Sequence, residues 1–134
     1  VATVASFNSA FMCLAVDPDD LLKSKVRPMV MALPETWDET IVLGQSKIGD
    51  LAVFARRKGK EWFLSALNGA KRSRQIKVKL DFLKRGKYSI DMLKDNLQDP
   101  LKAELVTKTV QRKNQLTIEL AGGGGFVGRI SAVK

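Results

Sequence analysis

Residues 121–130 read AGGGGFVGRI, four consecutive glycines followed by a short apolar run. The stretch has three readings: a phosphate cradle, a hinge, or a bend between two strands. A Walker-type loop needs G-x-x-x-x-G-K-S/T, whereas Gly128 is followed by Arg129 and Ile130. A dinucleotide fingerprint opens a helix after a strand, yet GFVGRISAV at 125–133 has the texture of a strand. The glycines are therefore read as mechanical. LTIEL must turn into FVGRI, and glycine allows positive φ and close backbone approach. A run of four exceeds what a two-residue hairpin needs, which points to a bulge or to tight packing on a neighbouring surface.

That reading makes the last strand one of a series. From Thr36 onward apolar residues recur with period two, in ETIVL, DLAVFARRKG, EWFLSALNG, QIKVKLDFL, KYSIDMLKD, AELVTKTVQ, QLTIELA and GFVGRISAV. Turn chemistry separates them, as in GQSKIGD, RKGKE, NGAKRSR and LKRGK. Short strands in even succession leave no room for crossover helices, so the sheet is expected to be antiparallel. The fold class predicted is mainly β: an antiparallel β-sandwich of about eight strands preceded by one or two α-helices. Residues 1–34 form the helical segment and 35–134 the sandwich.

The opening is helical in character. Val4, Phe7, Phe11 and Leu14 lie three and four apart and make an apolar stripe. In DPDDLLKS, Asp17 suits the N-cap, Pro18 the first helical position, and Asp19 and Asp20 the positive helix terminus. This second helix is expected to be short and to fray before Pro28; Pro34 closes the region. LPETWDET joins helix to sheet without a flexible spacer, so the helices are expected to pack close to the sheet. A hydrophobic helix with no strand before it looks like the end of a larger α/β unit.

Composition excludes several chemistries. Histidine is absent, which removes imidazole nucleophile systems, acid–base work and metal ligation. The single cysteine, Cys13, lies in an apolar run and is read as a small buried hydrophobe. The longest apolar stretch, AFMCLAV at 10–16, is far short of the roughly 20 residues that span a membrane. The net charge of +9 favours anionic partners. In RQIKVKLDFL, however, Ile76, Val78 and Leu80 alternate with Lys77, Lys79 and Asp81, so the lysines belong to a solvated face. No aromatic residues interleave with the basic ones as a base-stacking platform needs, and no nucleic-acid partner is expected.

The candidates for chemistry are few. Glu35, Asp38 and Glu39 around Trp37 are too close in sequence to flank a scissile bond unaided, and Trp37 is expected to cover the junction between helix and sheet. Trp62, with Leu64 and Ala66, faces one way, and Phe63, Ser65 and Leu67 the other, as in a strand covered on both sides. Trp37, Trp62 and Tyr88 are the candidates for stacking on sugar rings. Asp91, Asp95 and Asp99 lack the dense oxygen spacing of a calcium loop. No catalytic or metal-binding residue is assigned.

The ordered set LPETWDET, GDLAVFARRKGKEWFLSAL, KYSIDMLKD and LAGGGGFVGRI resembles the C-terminal region of glycoside hydrolase family 97. That family comprises bacterial α-glucosidases and α-galactosidases typical of Bacteroidetes. FNSAFMCLAVDPDDLLKS looks like the last helical segment of its (β/α)8 catalytic barrel. The resemblance implies a non-catalytic C-terminal β-domain that caps and stabilises the barrel, with Val4, Phe7, Phe11 and Leu14 as the dock. It implies that the catalytic glutamates and the calcium of the parent enzyme lie outside this chain, and that the setting is periplasmic or secreted. Left uncovered, the helical stripe is expected to drive self-association or to fold back over the chain's own sheet. The alternatives are a free-standing carbohydrate-binding module, a basic nucleic-acid-binding β-domain and, last, an intact glycosidase.

Overall fold

A computed structural model describes residues 1–7, 17–96 and 103–133. Three short helices, α1 (Ala2–Phe7), α2 (Pro18–Lys23) and α3 (Arg27–Ala32), precede eight strands. The strands are β1 (Glu39–Val42), β2 (Leu51–Lys58), β3 (Glu61–Asn68), β4 (Arg74–Lys79), β5 (Lys87–Asp95), β6 (Ala103–Gln111), β7 (Gln115–Leu120) and β8 (Gly125–Ala132). All eight apolar runs of period two became strands, and every pairing is antiparallel.

Six strands form one sheet in the order β1-β2-β3-β8-β5-β6, and β4 pairs with β7 in a second. The split follows from the turns. Residues 69–73 carry the chain from β3 across to β4, and the glycine run carries it back from β7 to β8. Between the sheets lies the main core, with Val53, Leu64, Ile90, Phe126 and Ile130 on one side and Ile76, Val78, Ile118 and Leu120 on the other. A fully buried side chain of this size contributes roughly 1.5–3 kcal/mol, so this layer dominates the stability. Lys77 and Lys79 alternate out to solvent between the buried Ile76, Val78 and Leu80, as the period-two reading requires.

The outer face of the large sheet is covered by helices. A second cluster joins Ala5 of α1 and Met29 of α3 to Leu93 and Val127, with Val1, Val26 and Leu33 at its margin. This double coverage explains why β3 is buried along both faces. Its Trp62, Leu64 and Ala66 enter the main core, while Phe63 and Ser65 lie buried on the helix side.

Local differences from the sequence reading have simple causes. Asp17 caps α2 as expected, its side chain accepting from the Asp19 amide at 2.8 Å. The third helix was not anticipated, because Pro28 reads as a break; within the first turn of α3 it removes an amide that has no helical partner. β4 stops at Lys79, and Leu80 to Leu83 form a turn closed by the Leu83 amide on the Leu80 carbonyl at 3.1 Å. On α1 the residues against the sheet are the small ones, Ala5 and Ser6, both buried. Val4 is half-buried and Phe7 exposed, so these two do not form the sheet-facing side of the helix. Phe11, Leu14 and Cys13 lie outside the described residues.

Candidate docking surface

The glycine run explains how α1 comes so close. A Cβ on Gly125 would stand 2.6 Å from the Ala2 Cβ, and one on Gly122 would stand 2.0 Å from the Lys71 carbonyl oxygen. Gly123 has φ +68°, a conformation that glycine adopts without steric cost. The Gly123 amide donates to the Ala70 carbonyl and the Gly124 amide to the Ala121 carbonyl. The bend is thus a close crossing of two backbones, the tight packing inferred from its length. Asn68 locks the same crossing. Its side-chain amide donates to the carbonyls of Arg72 and Ala121 at 2.9 and 2.7 Å, and its side-chain oxygen accepts from the Ala70 amide.

Two side-chain hydrogen bonds hold α1 to the sheet. The Ser6 hydroxyl donates to the Ser65 hydroxyl at 3.0 Å in a buried setting. The Arg56 guanidinium donates to the Ala5 carbonyl at 3.3 Å and lies 5.4 Å from the centre of the Trp37 ring and 5.5 Å from that of Phe54. Burial pulls the Arg56 pKa down, although a guanidinium stays charged throughout the accessible pH range. Trp37 meets Phe63 of β3 edge to face at 5.3 Å.

Beside this joint is an open apolar groove. Phe7, Val42, Ile48, Ala52, Phe54 and Leu67 line a cavity of about 510 Å³. Phe7 and Phe54 pack edge to face at 6.2 Å. Phe7 is 63% exposed, Val42 61% and Ile48 fully so, which makes this the main concentration of exposed large hydrophobics among the described residues. Ile48 sits at the tip of the loop at 43–50, and that loop is fixed in place. The Ser46 hydroxyl donates to the Val53 carbonyl and accepts from the Val53 amide at 3.1 and 3.0 Å. Asp50 pairs with the Arg74 guanidinium, whose hydrogen bond is the main influence lowering the Asp50 pKa.

The other sequence candidates lie elsewhere. Trp62 and Tyr88 are buried, and both reach the edge of a separate cleft of about 520 Å³ that also holds Phe82, Lys60 and Lys84. Trp37 lies apart from them, on the helix side of the sheet. Asp38 accepts from the Gly59 amide at 2.7 Å and pairs with Arg57 and Lys58, and Glu39 pairs with Arg57 at 3.0 Å. Glu35 is exposed. Asp91 accepts from the Thr107 hydroxyl at 2.7 Å. Among the described residues no three acidic or sulfur ligands converge on a metal-sized site; Asp99 lies outside them.

The model of a family described as "Glycosyl-hydrolase 97 C-terminal, oligomerisation" matches residues 36–131. The chain belongs to this family. It is 30% identical to a retaining alpha-galactosidase of Bacteroides thetaiotaomicron over 97% of its own length and 20% of that protein's. A glycoside hydrolase family 97 enzyme from a Pseudoalteromonas species, solved with acarbose, superposes with a TM-score of 0.79 at 29% identity, over 87% of this chain and 19% of that one. A beta-arabinopyranosidase structure superposes with a TM-score of 0.80 at 25% identity, over 96% and 20%. The family 97 C-terminal chain thus spans about a fifth of the length of the glycoside hydrolases it matches. Of the surface just described, only Phe7 was marked in advance. Ile48, the single apolar residue of GQSKIGD, was the signal passed over.

Proposed function

We propose that the chain is the non-catalytic C-terminal β-domain of a family 97-like glycoside hydrolase of the α-glucosidase or α-galactosidase type. It caps and stabilises the catalytic barrel, docking through α1 and the adjoining groove. One observation carries the reading. Phe7 on α1, Val42 at the end of β1 and Ile48 on the anchored loop at 43–50 are presented together. A contiguous apolar patch of this kind marks an interaction surface. The calcium and the acid–base pair of the parent enzyme belong, in this reading, to segments outside the chain.

The test is made on the protein in which the gene places this domain. Phe7→Ser with Ile48→Ser is expected to lower the melting temperature of the barrel, while the chain alone turns over no aryl α- or β-glycoside. An unchanged barrel melting temperature defeats the docking role. Turnover by the chain alone, abolished by mutating one of its carboxylates, defeats the non-catalytic role. A second reading is a carbohydrate-binding module, favoured by the cleft that Trp62, Phe82 and Tyr88 share. Heat on titration with maltooligosaccharides, lost in Trp62→Ala, would select it.

A further inference from the structure

Among the described residues β6 pairs with β5 alone, and so forms the edge of the large sheet at the end opposite the groove. It is nine residues long, and Ala103, Glu104, Leu105, Thr107, Lys108 and Thr109 are exposed. Leu105, 51% exposed, is a large apolar residue far from the groove. Such an edge is a template for another strand unless something blocks it, and charged side chains are the usual block. Here the charges have opposite signs. Glu104 and Lys108 lie four apart, and so on the same face of the strand.

We propose that β6 is the seam of a two-fold dimer, pairing antiparallel with β6 of a second copy in a register centred on Val106. Facing residues in an antiparallel pair lie on the same side of the sheet, so a symmetric pairing must be centred on a residue. Centred on Val106, the pairing sets Glu104 of each copy opposite Lys108 of the other, with Leu105 opposite Thr107. Centred on Leu105 or Thr107 it sets Glu104 opposite an apolar residue. Centred on Lys108 it sets the two lysines against each other, which is unfavourable. Charge complementarity therefore selects one register. Glu104 already pairs across β5 with Lys94 at 3.2 Å and accepts from the Asn96 side-chain amide at 3.1 Å, and the seam extends that pair into a row of alternating charge. The family description names oligomerisation without a surface, and isologous pairing is the commonest form it takes. The seam leaves the groove free, so it stands independently of the docking role.

The test is sedimentation of the 134-residue chain carrying Phe7→Ser and Ile48→Ser, so that association through the groove is removed. This chain is expected to sediment as a dimer. Adding either Lys108→Glu or Glu104→Lys turns both charge pairs repulsive, and should weaken association at least about tenfold, giving monomers with unchanged circular dichroism. An equimolar mixture of the two variants restores both pairs and should sediment as a heterodimer. A parent chain monomeric at every concentration, a Lys108→Glu chain still dimeric, or a mixture that stays monomeric each overturns the proposal.

Discussion

Gly122 has no room for a methyl group, since a Cβ there would overlap the Lys71 carbonyl. The neighbour is backbone and cannot rotate away, so Gly122→Ala is expected to cost about 1–3 kcal/mol in urea unfolding. Gly44 has nothing within 4 Å of its own Cβ position, and Gly44→Ala should stay within about 0.5 kcal/mol. Equal shifts at both sites would mean that the crossing is looser than described. Asp50 makes a second residue-scale case. The hydrogen bond from Arg74 holds its carboxyl below the ordinary carboxylate value, as the Gly59 amide chiefly does for Asp38. A lowered folded value means that the unfolded chain takes up the proton first. The stabilisation is thus complete above the ordinary value, near pH 4, and is lost as pH falls through the folded value. Asp50→Asn should flatten the acid limb of the melting-temperature profile below about pH 4. An acid limb as steep as that of the unsubstituted chain would show that this pair is not what anchors the Ile48 loop.

Helix α1 is held by small residues and by a few polar contacts more than by a greasy face. Ala2, Ala5 and Ser6 allow the approach, and Gly125 receives it. Gly125→Ala should therefore lift the helix while the sandwich stays folded, with hydrogen exchange rising in residues 1–7 and staying slow in β3 and β8. Equal acceleration in all three would make α1 part of the main cooperative unit. The same element shows where the sequence was legible. Alternation in stretches such as QIKVKL identifies a strand because burial on a sheet has period two. The stripe through Val4 and Phe7 was equally visible, but the stripe does not say which side faces the protein's own sheet. That depended on Gly125, more than a hundred residues away in sequence. Helix α3 was hidden for a different reason, because proline inside RPMVMA breaks a helix anywhere but in its first turn.

At the scale of the molecule the two ends of the large sheet differ in kind. The β1 end carries the anchored apolar groove, and the β6 end an exposed edge with balanced charges. The partition of strands into six and two could not be read from the chain, since β4 and β7 alternate like their neighbours. What enforces the partition is the crossing fastened by Asn68. That residue precedes Gly69, and an asparagine–glycine pair in a mobile chain ages by attack of the following amide nitrogen on the side-chain carbonyl, which expels ammonia and leaves a succinimide that water opens to a carboxylate. In the fold the Gly69 amide is already committed to the Asp50 carbonyl at 2.8 Å, and the Asn68 side chain is clamped. Ageing at this position must wait for the crossing to open. Once it has happened, the new carboxylate faces two carbonyl oxygens where the amide had donated, so the damaged molecule cannot close again as before. The two sheets thus keep a chemical record of every molecule that has come apart for long enough.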